Sequence, residues 1–321
     1  VGSVFRRAYG INTLGAVAGV LLGAAWLLEL LGNRGVVFAA AGLQGQVGVL
    51  ALGLAAAPRP RPQPEGGAGG ASGAWALGTA AFLAGGAGLL VQVAWIRRLT
   101  PVVGNTTQAF ATVLATSLFA LAVGSLLLGP RRGRDVGAVP FRLLVLAAVP
   151  VALLPPVVGV VDDWAAAWLL DGPASSLRLL AVRTLAAGLL LVPSTILGAA
   201  VLPWLVRAAA PTQDAAGAVA GRLLAWNTAG SAMFAVGGAA IWLPAVGSAA
   251  VLRGAAGLLL LGAALLSRGA RCAVTLGAGL VLLVLPALMP IPDDALWDAV
   301  GASFAPEHHR PADATLSLIH I

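Results

Sequence analysis

The chain is 321 residues long, with 59% hydrophobic and only 10% charged residues, against roughly 25% charged in a soluble domain, which excludes an ordinary water-soluble globule. Its net charge of +7 comes from arginine without any lysine. These arginines lie mostly in short loops with no aromatic interleaving, a pattern that orients helices in a membrane rather than binding nucleic acid. Apolar runs of about 20 residues, without period-two alternation, exclude a lipid-facing barrel and predict an all-α polytopic membrane protein of about nine transmembrane helices.

The predicted spans lie at about 10–31, 36–57, 74–96, 107–129, 140–161, 179–206, 222–243, 248–267 and 272–290. Arg6 and Arg7 precede the first span, but no small-residue cleavage site follows it, so it is not a signal peptide. Asn12 and Thr13 place polar groups inside that span, where such groups face protein or a water-filled cavity. Gly15 and Ala16 beside them permit close helix approach, so the pair is either a packing joint or part of a substrate path. Residues 58–73, PRPRPQPEGGAGGASG, are stiff in the Pro-rich half and loose in the Gly-rich half, as expected of a linker between residues 1–57 and a second unit at 74–267.

In the third span, Gln92 is too deep to reach the interface and is expected to face the interior between two halves, as a substrate-path candidate. Trp95, Arg97 and Arg98 close that span as interface anchors. Asn105-Thr106-Thr107-Gln108 opens the fourth span; it reads as a helix N-cap rather than a glycosylation sequon, and Gln108 joins the path candidates. The fourth span closes with GSLLLGPRRGR, whose Arg131, Arg132 and Arg134 are loop anchors and the strongest cytoplasmic signal in the chain.

The sixth span is overlong. Pro193 is expected to kink it, with Ser194 and Thr195 satisfying the backbone groups that the kink frees and counting as path candidates. Arg183 near its start either snorkels or pairs with Asp171. The seventh span brings Asn227 and Thr228, again on the candidate path. Residues 268–290 form an additional transmembrane helix, in which the single Cys272 can build neither an intrachain disulfide nor a cysteine-based metal site. From residue 291 the composition turns polar and predicts the start of a soluble domain; Val1 and the closing TLSLIHI suggest a piece of a longer protein. No HExxH, GxSxG or Walker pattern occurs, and His308-His309 in the polar tail is a poor metal site, so no catalytic residue, metal or cofactor is predicted. The expected partners are the lipid bilayer and a small molecule of unknown identity.

An offset of 215 positions relates Arg7 to Arg222, Asn12 to Asn227, Thr13 to Thr228, Gly15 to Gly230, Gly23 to Gly238 and Gly32 to Gly247. Six spans separate the copies, an even number, which predicts parallel repeats about an axis along the membrane normal. Residues 1–57 would then be the last two helices of one six-helix half and 74–267 the complete second half. Twelve of the nineteen arginines fall on the side shared by the N-terminus and the 131–134 loop, which is expected to be cytoplasmic and leaves the tail outside after an odd number of crossings.

GLLVQVAWIRRL, GNTTQAFATVLATSLFALAVGSLLLG, PSTILGAAVLPWLVR and the two NTxG segments, taken in order, resemble the membrane region of fused spermidine synthase-like proteins. In that family major facilitator-like helices precede an aminopropyltransferase-like domain. The resemblance implies pseudo-repeats of major-facilitator type, a multi-pass location in a bacterial inner (plasma) membrane, and the transport or delivery of a polyamine-related small molecule. DALWDAV followed by PADATLSL resembles the start of the soluble domain, whose catalytic part does not occur in this chain. Gln92 stands where the family usually has an acidic residue. The alternatives are a stand-alone secondary transporter of major-facilitator type and a non-transporting membrane anchor or scaffold.

Overall fold

The computed structural model describes residues 2–55, 71–103, 106–131, 136, 138–170, 176–210, 215–267, 277 and 279. Every described element is helical, the arrangement that pairs each backbone group within its own segment where no water is present. The α-helices are α1 (Gly2–Leu22), α2 (Leu28–Ala55), α3 (Ala71–Val103), α4 (Thr107–Leu128), α5 (Val139–Leu153), α6 (Val158–Leu170), α7 (Ser176–Ala199), α8 (Val201–Ala209), α9 (Ala216–Gly237) and α10 (Leu243–Leu266). Five helical stretches are long and apolar enough to cross a membrane, or six if the bent pair α5–α6 counts as one.

Two of these stretches, Val4–Gly53 and Ala216–Leu266, contain 50 and 51 residues. At ~1.5 Å per residue a straight helix of that length would extend about 75 Å, more than twice a ~30 Å hydrocarbon core. Each is broken in the same two ways. A π-helical turn occupies Gly23–Leu27 in one and Gly238–Trp242 in the other. Then Gly32 (φ 64°, ψ 173°) and Gly247 (φ 76°, ψ 168°) leave the helical region altogether. That combination of angles is open essentially to glycine alone. The short loops expected between the first and second spans, and between the seventh and eighth, are therefore replaced by breaks centred on one residue.

Other expectations are corrected in detail. The fifth span does not run straight: α5 and α6 meet at 68°, with Pro155 and Pro156 forming a 3₁₀ turn at the corner, because neither proline can donate to a helical ladder. The sixth span is overlong as expected, a stretch of 33 residues from Leu177 to Ala209, with Pro193 inside α7 and a single turn residue, Ala200, between α7 and α8. Most of the ninth span and of the linker, with Asp171, Cys272 and the polar tail, lies outside the described residues.

Helix α3 is the centre of the bundle, packed against α9 and α10, while α4 packs against α7 and α1, and α10 against α5. The α3–α9 crossing is backbone to backbone: a Cβ at Gly85 would strike the Asn227 carbonyl, and one at Gly230 the Phe82 carbonyl. Such close approach is how helices gain dispersion energy when lipid offers no hydrophobic incentive to associate. A run of ring contacts, Trp75–Trp226–Phe82–Phe234–Trp242, follows the same seam with centroids 5.4–6.2 Å apart.

The C-terminal end of α4 is closed by two local and two long-range donors. The Ser125 carbonyl accepts from the Gly129 N–H at 3.1 Å, Leu126 from Arg6 at 2.9 Å, Leu127 from Arg131 at 3.0 Å, and Leu128 from the Trp204 indole at 2.9 Å. The last four carbonyls of a helix have no partner within it. Here all four are met, by a neighbouring backbone group and by side chains from three places in the chain.

Candidate functional site

A cavity of about 180 Å³ opens where α1, α3, α4, α7 and α9 converge. Tyr9 reaches it from α1, Gln92 from α3, Ser117 from α4, Ser194 and Thr195 from α7, and Asn227 and Ser231 from α9. Leu118, Leu121, Val151, Leu202, Leu205 and Leu259 supply much of the apolar wall. Polar groups converging on an otherwise apolar concavity are the usual form of a small-molecule site.

Three of the polar residues are occupied by the protein itself. The Ser117 hydroxyl donates to the Val113 carbonyl at 3.0 Å, Ser194 to Leu191 at 3.2 Å, and the Asn227 amide across helices to Ala81 at 3.1 Å. Ser194 thus bonds the carbonyl three residues back rather than that of Leu189, the one left without an N–H by Pro193. The other four differ: the side chains of Tyr9, Gln92, Thr195 and Ser231 form no hydrogen bond among the described residues. All four are partly exposed and none is among the buried polar atoms left without a partner, so they are open to water or to a bound molecule and are where a bound molecule would find free hydrogen-bonding groups.

Of the sequence-derived path candidates, Gln92, Asn227, Ser194 and Thr195 come together at this cavity, and the rest do not. Asn12 is exposed on α1, against the expectation that it turns inward: its face of α1 points away from α4, and nothing described covers it. Its neighbour Thr13 is the buried member of the pair, 4% exposed, with its hydroxyl on the Tyr9 carbonyl at 2.8 Å. Thr228 is exposed one position beyond the α3 contact, and Gln108 is exposed in the first turn of α4. The N-cap of α4 is Thr106, whose side chain accepts from the Ala109 N–H at 3.1 Å.

Trp95 is not an interface anchor: it is 0% exposed, and its indole N–H is buried without a partner. The reason is length, since α3 continues to Val103 and leaves Trp95 two turns inside the helix. Arg97 and Arg131 are exposed and Arg98 is half-buried, while Arg132 and Arg134 lie outside the described residues. Arg183 is half-buried on α7 with its Nε unpaired.

Tyr9, Ser117 and Ser231 are cavity residues that sequence reasoning does not place there. Tyr9 is the chain's single tyrosine, which is a usable signal, but near the head of a span a tyrosine ordinarily marks the interface. Ser231 beside Gly230 reads as a packing residue, and Ser117 carries no signal. No group of three or more metal-ligating side chains occurs among the described residues. No protein-family profile, curated protein or solved structure matches this chain.

Proposed function

We propose that this chain is the membrane region of a spermidine synthase-like fusion protein and that it binds a small molecule in the α1/α3/α4/α7/α9 cavity and passes it across the bilayer. The observation that carries this reading is the convergence of four unpartnered polar side chains, from α1, α3, α7 and α9, on one cavity. Polar side chains within spanning helices usually face a water-filled cavity or a solute path, and an inert anchor has no use for such a cavity. The repeated π-turn and glycine break, 215 positions apart, support a parallel repeat of major-facilitator type. Tyr9 belongs to the first copy and the other polar lining residues to the second unit, so the cavity sits where the two would move against each other. The polyamine-related cargo follows from the sequence resemblance.

The test is counterflow into proteoliposomes from a defined mixture of metabolites that includes spermidine, read by mass spectrometry. At least one solute is expected to equilibrate faster with the protein than in empty liposomes. For that solute Gln92→Leu is expected to lower the initial rate roughly threefold to tenfold, the effect of one lost neutral hydrogen bond. Identical permeation profiles with and without protein would remove the transport reading and leave the anchor.

A further inference from the structure

We infer that the cavity is built for an uncharged solute, one that carries hydroxyl or amide groups on one side and hydrocarbon on the other. This inference rests on the cavity being a solute site, as proposed above. Among the described residues lining it, none is acidic or basic. The described carboxylates are elsewhere: Glu29 is exposed on α2, and Asp163 is exposed on α6. A cation or anion brought here would lose its hydration without meeting a counter-charge, and such burial is tolerated only when the charge is paired. Nor do the described residues form an aromatic cage of the kind that receives an ammonium group, since Tyr9 is the one aromatic residue among the described lining.

The available polar groups fit a neutral molecule. The Gln92 amide and the Tyr9, Thr195 and Ser231 hydroxyls can each donate or accept, and all four are unpartnered among the described residues. They suit a solute that presents both kinds of group. Leu118, Leu121, Leu202 and Leu205 offer it an apolar surface. The volume of about 180 Å³ exceeds that of an apolar cavity of about 150 Å³ that takes up benzene, so the site has room for at least one six-membered ring with small substituents. A fully protonated polyamine meets neither the charge nor the shape requirement. At this cavity the cargo class therefore departs from the one the resemblance implies.

Thiol chemistry at the cavity tests this whatever the solute turns out to be. In the full chain with Cys272→Ser, Thr195→Cys and Ser231→Cys would each be exposed in membrane vesicles to hydroxyethyl, trimethylammonioethyl and sulfonatoethyl methanethiosulfonates. These reagents are of similar size and are neutral, cationic and anionic. Rates are normalised to those of a free thiol in solution. The neutral reagent is expected to exceed both charged ones by about tenfold or more, since a charge must be stripped of water to arrive. Equal normalised rates for the cationic or anionic reagent would overturn the neutral class while leaving the cavity a solute site. If no reagent modifies either cysteine, while the unfolded protein reacts with all three, both the neutral class and the solute site fall together.

Discussion

The Asn227 amide donates to the Ala81 carbonyl at 3.1 Å, whereas the Gln92 amide has no partner among the described residues. The same functional group thus does two jobs, and truncation separates them. Asn227→Ala is expected to lower stability by about 0.6–1.7 kcal/mol, the range of interhelical hydrogen bonds in a membrane. Gln92→Leu is expected to leave stability unchanged or raise it, because it removes an unpaired amide from an apolar setting. Thermal unfolding of both variants in one detergent checks the contrast, and a large loss in Gln92→Leu would show that its amide is a structural joint. Gln92 was legible in the sequence because an amide at that depth needs an explanation wherever it sits. Asn12 was not, because motif identity says nothing about which faces are covered: α9 has α3 across it, while the equivalent face of α1 has no described neighbour.

At the scale of the element, the two glycine breaks decide how a stretch of about fifty residues is accommodated. Gly247 sits at φ 76°, ψ 168°, where an L side chain is strained by roughly 1–3 kcal/mol. Gly247→Ala is therefore expected to destabilise the protein by about that amount, although nothing lies near the added methyl. Gly254→Ala, seven residues on in regular helix with the same open space, serves as control and is expected to be neutral or stabilising by up to ~1 kcal/mol. Equal melting temperatures for the two variants would mean that the break can relax without cost. The presence of most helices could be read from hydropathy alone, but not their limits: α3 ends seven residues beyond its predicted end, and α9 begins and ends six residues early. The form of the breaks could not be read either, since a glycine in an apolar run is as often a packing residue as a turn.

For the whole molecule, contacts place the start of α1, the end of α4 and α8 at one end of the bundle. That end gathers Arg6, Arg7, Arg131 and Arg207, with Arg132 and Arg134 next in sequence, and by the positive-inside rule it is expected to face the cytoplasm. In a Cys272→Ser background, a cysteine at Gln108 is then expected to react with a membrane-impermeant maleimide in intact cells, and one at Arg131 only after lysis. The reverse labelling would invert the protein. This expected sidedness rests on arginine counts alone. The cavity was only half readable, because spacing along one helix cannot show that Tyr9, Gln92, Thr195 and Ser231 meet across four. The closure of α4 also has a consequence in time. The Trp204 indole that completes it lies 76 residues beyond Leu128, so at about 5–20 residues per second a ribosome delivers it roughly 4–15 s later. During that interval the helix end is unfinished. A nascent chain arrested shortly before Trp204 is expected to be degraded faster by membrane proteases than one arrested after Arg207 has left the ribosomal tunnel, and pulse–chase measurement of the two lifetimes would show it.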